Sequence, residues 1–92
     1  MSEFGALEPS LQGLRVDASL DIRGIERPEA YLKAVERLQQ MAENEVLELY
    51  VDEGEPLRTI PFGLRAEGHE ILVSEPAKEG VRLLVRRRSL VT

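Results

Sequence analysis

The sequence contains no cysteine and a single histidine, His69. The first absence removes disulfides, thiolate catalysis and thiolate metal ligation together, because each needs a sulfur ligand or nucleophile. The second leaves His69 without a partner for a typical metal site, so it is read as structural. With no tryptophan and only four aromatic rings, aliphatic packing has to build the interior. No stretch approaches the roughly 18 apolar residues of a membrane span, and the N-terminus lacks the basic-then-apolar pattern of a secretory signal. Both point to a cytoplasmic protein. A phosphate-cradling glycine loop, a Ser-His-Asp set and an aromatic-flanked basic patch are also missing. No catalytic residue, cofactor or metal is assigned.

Ninety-two residues suffice for one core. The net charge of -5 argues against broad binding to nucleic acid, which depends on neutralising phosphates. Acidic residues concentrate between Glu43 and Glu55, while Arg82, Arg86, Arg87 and Arg88 make the C-terminal strand basic.

Residues 1–13 carry no periodicity and read as a flexible N-terminal tail ahead of one domain over 14–92. Leu14, Val16, Ala18, Leu20 and Ile22 alternate with polar residues and predict a strand with one buried face. Gly24 and Pro28 then turn the chain into a helix that runs to about Glu43, with Tyr31, Ala34, Val35, Leu38, Met41 and Ala42 on its apolar side. Val46 to Val51 predicts a strand, and Leu57 to Glu67 a shorter helix placed late so that Pro61 falls in its first turn. Two strands close the chain, His69 to Glu75 and Val81 to Arg87, joined by a five-residue loop. The order β-α-β-α-β-β predicts an α/β (α+β) two-layer sandwich, a four-stranded mixed sheet with both helices on one face.

The junction Asp21-x-Arg23-Gly24-x-x-Arg27-Pro28 resembles the signature of the TusA-like (SirA-like) sulfur-carrier family, Asp-x-Arg-Gly-x-x-Cys-Pro-x-Pro. The resemblance continues through Leu32-Lys33-Ala34, the strand from Glu45 to Leu49, Asp52-Glu53, Leu57 to Pro61, and Gly68-His69-Glu70. It implies this fold, and a family function in which the motif cysteine carries sulfur as a persulfide between a cysteine desulfurase and acceptors such as the tRNA-thiolation machinery. Here Arg27 stands at the cysteine position and Ala30 at that of the second proline. A helix N-terminus stabilises a thiolate, whereas arginine is always cationic and no nucleophile.

The resemblance without its nucleophile points to a non-catalytic binding or regulatory module with protein partners. Its candidate surface for an anion or a partner comprises Arg23, Gly24, Arg27, Pro28, Glu29 and Arg58. One alternative is an accessory role in a sulfur relay or tRNA-thiolation complex whose reactive cysteine comes from a partner. Another is RNA binding through Arg86, Arg87 and Arg88. The plainer reading of Arg27 is a solvated residue paired loosely with Glu26 or Glu29. Asp52, Glu53 and Glu55 read as a solvated acidic loop, and the C-terminal arginines as charge that blunts an edge strand.

Overall fold

The structure is a computed structural model that describes residues 15–89. The order is β1 (Ala18–Asp21), α1 (Glu29–Gln39), β2 (Val46–Val51), α2 (Glu55–Ala66), β3 (Glu70–Ala77) and β4 (Gly80–Arg86). The strands form one sheet in the order β1-β2-β4-β3, parallel between β1 and β2 and antiparallel elsewhere. Leu47, Leu49 and Val51 of β2 and Val81, Leu83 and Val85 of β4 point to the side that carries both helices. There they join Ala30, Ala34, Leu38, Ile60 and Leu64 in one aliphatic core. Met41 belongs to that core as expected.

The predicted tail, and Leu14 with it, lies outside the described residues. Strand β1 is shorter than its alternating pattern. Val16 is exposed, although Asp17 still exchanges hydrogen bonds with Val46: its N–H donates to the Val46 carbonyl, and its carboxylate accepts from the Val46 N–H. Helix α1 ends at Gln39 rather than Glu43, because Gln40 and Met41 close the last turn with N–H bonds to Arg37 and Leu38, three residues back. Arg87 Nε donates to the Leu38 carbonyl and caps that end of the helix.

Two further differences concern prolines and edges. Helix α2 starts at Glu55, with Pro56 in its first turn, so Pro61 lies in the helix interior and removes the N–H that would bond Leu57. Its ring is buried, and burial of Ile60, Pro61 and Leu64 on one side outweighs the missing bond. The last hairpin turns at Lys78–Glu79 alone, with Pro76 inside β3, an edge strand where a missing donor is tolerated. Strand β4 is internal, which corrects its reading as an edge. It is buried on both faces, with Leu84 covered on the side away from the helices.

On that second face Glu48 is the centre of a polar network. It accepts from Ser19 Oγ (2.9 Å), Tyr50 OH (3.1 Å) and Arg82 Nε (2.6 Å), and Arg82 also reaches Glu75 (2.7 Å). Arg82 holds the Glu48 carboxyl below the usual glutamate range, and the Arg23 side chain holds Asp21 at about 2. His69 is also lowered, first by burial and then by the Arg87 charge, and its neutral Nδ1 accepts the Arg88 N–H (3.1 Å).

These shifts share one sign. A lowered carboxylate adds stability above its ordinary value and loses it as pH falls through the folded value. A lowered histidine adds stability above about 6.5 and loses it on acidification. Urea midpoints are therefore expected to be flat near neutrality, to decline first below about pH 6.5 and again below about pH 4. His69→Asn, whose Oδ1 can accept the same N–H, should remove the first decline and spare the second; a first decline that persisted would refute the assignment.

Candidate partner-binding site

Strand β1 ends at Asp21, and the chain turns at Gly24, which has φ +81°. The Gly24 N–H donates to Asp52 Oδ2 at 2.8 Å, so Asp52 fastens the turn to the end of β2 and is not merely a solvated loop residue. Arg23 grips Asp21 side-on, with Nε to Oδ1 at 2.9 Å and Nη2 to Oδ2 at 2.7 Å. Its Nη1 donates to the Lys78 carbonyl at 2.7 Å, and its guanidinium stacks 5.1 Å from the centre of the Tyr50 ring. Every donor-bearing arm of Arg23 is thereby engaged, Nε and Nη2 within the junction and Nη1 against the β3–β4 turn.

Arg27 and Pro28 precede α1, with Pro28 at its N-cap. The Arg27 guanidinium lies 3.1 Å from Glu55 Oε2, the first residue of α2, and not against Glu26 or Glu29. Both side chains are about half exposed, so the pair contributes about 0–1 kcal/mol. Glu29 instead sits one turn from Lys33, at 3.9 Å. The Ala30 N–H is taken by the Glu26 carbonyl, which leaves the helix start fewer donors for an anion than an open terminus offers.

Beside Arg27 the two helices leave a groove of about 510 Å³, lined by Arg27, Pro28, Tyr31, Thr59, Ile60 and Gly63. Its walls are mainly apolar, and Arg27 places a cation at its rim. Gly63 permits the close approach of the helices: a Cβ there would lie 2.7 Å from the Tyr31 ring. Burial, reinforced by nearby Glu67, raises the Tyr31 hydroxyl above its ordinary value, so it remains a neutral donor. Sequence reasoning missed Tyr31, Thr59, Ile60 and Gly63 as lining residues; the signal was a glycine in the interior of α2.

Of the six candidate residues, Arg23, Gly24, Arg27, Pro28 and Glu29 share this junction. Arg58 does not line this groove and borders a different one, between α2 and β3. The C-terminal arginines are also occupied: Arg86 pairs with Glu70, Arg87 with Glu43, and Arg88 with Glu43 and Glu70 at 3.5 and 3.6 Å. Among the described residues no cluster of His, Asp and Glu is arranged to hold a metal ion, and no helix is long and apolar enough to cross a membrane.

Comparison with known proteins agrees with this architecture. The family described as sulfurtransferase TusA matches residues 18–87, which span all six elements. A protein of Archaeoglobus fulgidus named "Putative sulfur carrier protein" is 33% identical over 60 residues, covering 65% of this chain and 68% of the relative. The fold, the motif frame and both matches agree, and the chain belongs to the TusA family.

Proposed function

We propose that this chain is a non-catalytic binding or regulatory module of sulfur trafficking in the cytoplasm, and that it engages a protein partner at the start of α1. One observation carries the reading: at the position where the family motif has its cysteine, Arg27 presents a guanidinium tied to Glu55, and the chain has no cysteine elsewhere. Arginine cannot accept a sulfane sulfur, but it can pair with a partner's carboxylate that displaces Glu55. Arg23 and Gly24 keep the frame in place, while Arg27, Pro28 and Glu29 present its outer surface. Incubation with a cysteine desulfurase and cysteine carrying labelled sulfur should leave the protein unlabelled. Stable labelling would overturn the reading.

The groove beside Arg27 supports a second role, as an accessory component of a sulfur relay or tRNA-thiolation complex whose reactive cysteine is supplied by a partner. A space of about 510 Å³ next to a cation suits a partner's loop bearing an anionic persulfide. In a reconstituted relay, adding the protein should change the rate of transfer between the other components. An unchanged rate at saturating protein would eliminate this role.

A further inference from the structure

Arg58 and Arg65 differ from most arginines of the chain. Every described arginine except Arg37, Arg58 and Arg65 pairs with a carboxylate. In a chain with 17 acidic residues and a net charge of -5, two exposed, unpaired cations on one helix are unexpected. They lie two turns apart on α2, about 10.5 Å along its axis. Both border a groove of about 290 Å³ between α2 and the edge strand β3.

The floor of that groove is apolar, formed by Leu57, Pro61, Ile71 and Leu83, with Ser74 at its border and no carboxylate in its lining. Arg65 and Ile71 also line a second hollow with Gly68, His69, Glu70 and Arg88, where Glu70 is paired with Arg86 and Arg88, so the cationic, carboxylate-free lining belongs to the first groove. An apolar floor flanked by cations is complementary to a chain that carries an apolar side chain between carboxylates. Nucleic acid is the poorer fit, because the lining offers no aromatic ring on which a base could stack.

We propose that the α2–β3 groove binds an extended acidic segment of a partner protein. Its apolar side chain enters between Leu57, Pro61 and Ile71, and two of its carboxylates reach Arg58 and Arg65. An extended chain advances about 3.3 Å per residue and turns alternate side chains to one face, so acidic residues four positions apart, about 13 Å, share a face with an apolar residue midway between them and lie within reach of the two flexible arginine side chains. The inference stands on this groove alone and is independent of the site at Arg27.

The test is fluorescence anisotropy with a short labelled peptide of glycine and serine that carries two glutamates four positions apart and a leucine midway between them. The peptide should bind saturably at low salt and weaken as salt is raised. The double variant Arg58→Glu/Arg65→Glu should lose at least about tenfold in affinity and each single variant less, while Arg37→Glu, with the charge change of one such single variant but on α1, should bind like the parent. The milder pair Arg58→Gln/Arg65→Gln should lie between, and thermal melts of each variant establish that it is folded. Absence of binding at low salt, equal binding of a peptide with lysines for the glutamates, or indifference to the double variant would overturn the proposal. So would tighter binding of an oligouridylate than of the peptide.

Discussion

Replacing Arg27 by cysteine is expected to convert a protein that takes up no sulfur from a cysteine desulfurase into one that is labelled stoichiometrically. The substitution removes an exposed ion pair worth about 0–1 kcal/mol, so the fold should survive. A thiolate at this position attacks the terminal sulfur of the desulfurase persulfide; a new S–S bond forms as the old one breaks, and the donor cysteine leaves as a thiolate. The adjacent start of α1 favours that thiolate, whereas Glu55, now unpaired, opposes it. Arg27→Cys combined with Glu55→Gln should therefore react faster than Arg27→Cys alone, with a lower thiol pKa by pH-dependent alkylation. If the introduced thiol alkylates readily yet acquires no sulfur, the docking surface for the desulfurase has been lost along with the cysteine, and the binding role proposed at this site must be directed elsewhere.

The largest expected effect on stability comes from Gly80→Ala. Gly80 opens β4 at φ +155°, and a Cβ there would lie 2.6 Å from the Val51 carbonyl oxygen and 2.9 Å from Arg23 Cδ. The arginine can move, but the carbonyl belongs to the central β2–β4 ladder and cannot. Backbone strain and overpacking together predict a loss of about 2–4 kcal/mol. In urea this should appear as a fall in midpoint of about 1–2 M with little change in slope. A loss below about 0.5 kcal/mol would show that the turn relaxes freely, and that the contact between Arg23 and the Lys78 carbonyl does little to hold it.

The element order could be read from the sequence because most elements bury one side, and such burial leaves a period of two or 3.6 along the chain. The order of strands within the sheet could not be read this way. Periodicity along β4 says which residues face the helices, not which strands flank it. Its one clue was Leu84, an apolar residue between Leu83 and Val85, since a run that breaks alternation indicates burial on both faces. Pro61 misled for a related reason: the local rule against proline in a helix was outweighed by a buried position that only the tertiary structure reveals. At the site, Asp21, Arg23 and Gly24 are close in sequence and were found together. The Arg27–Glu55 pair and the Tyr31–Gly63 contact join residues far apart in the chain, and no local pattern encodes them.

The anchoring of Arg23 alters what the family signature measures. Asp21 holds Arg23, Asp52 holds the Gly24 amide, and Arg23 holds the hairpin turn; none of these bonds requires a reactive group at position 27. Three of the motif's letters are thus demands of folding, and natural selection for a stable chain would maintain them whatever residue stands at position 27. A match to the signature is evidence of shared ancestry and architecture. The strength of the match does not report which residue occupies position 27, where this chain has arginine.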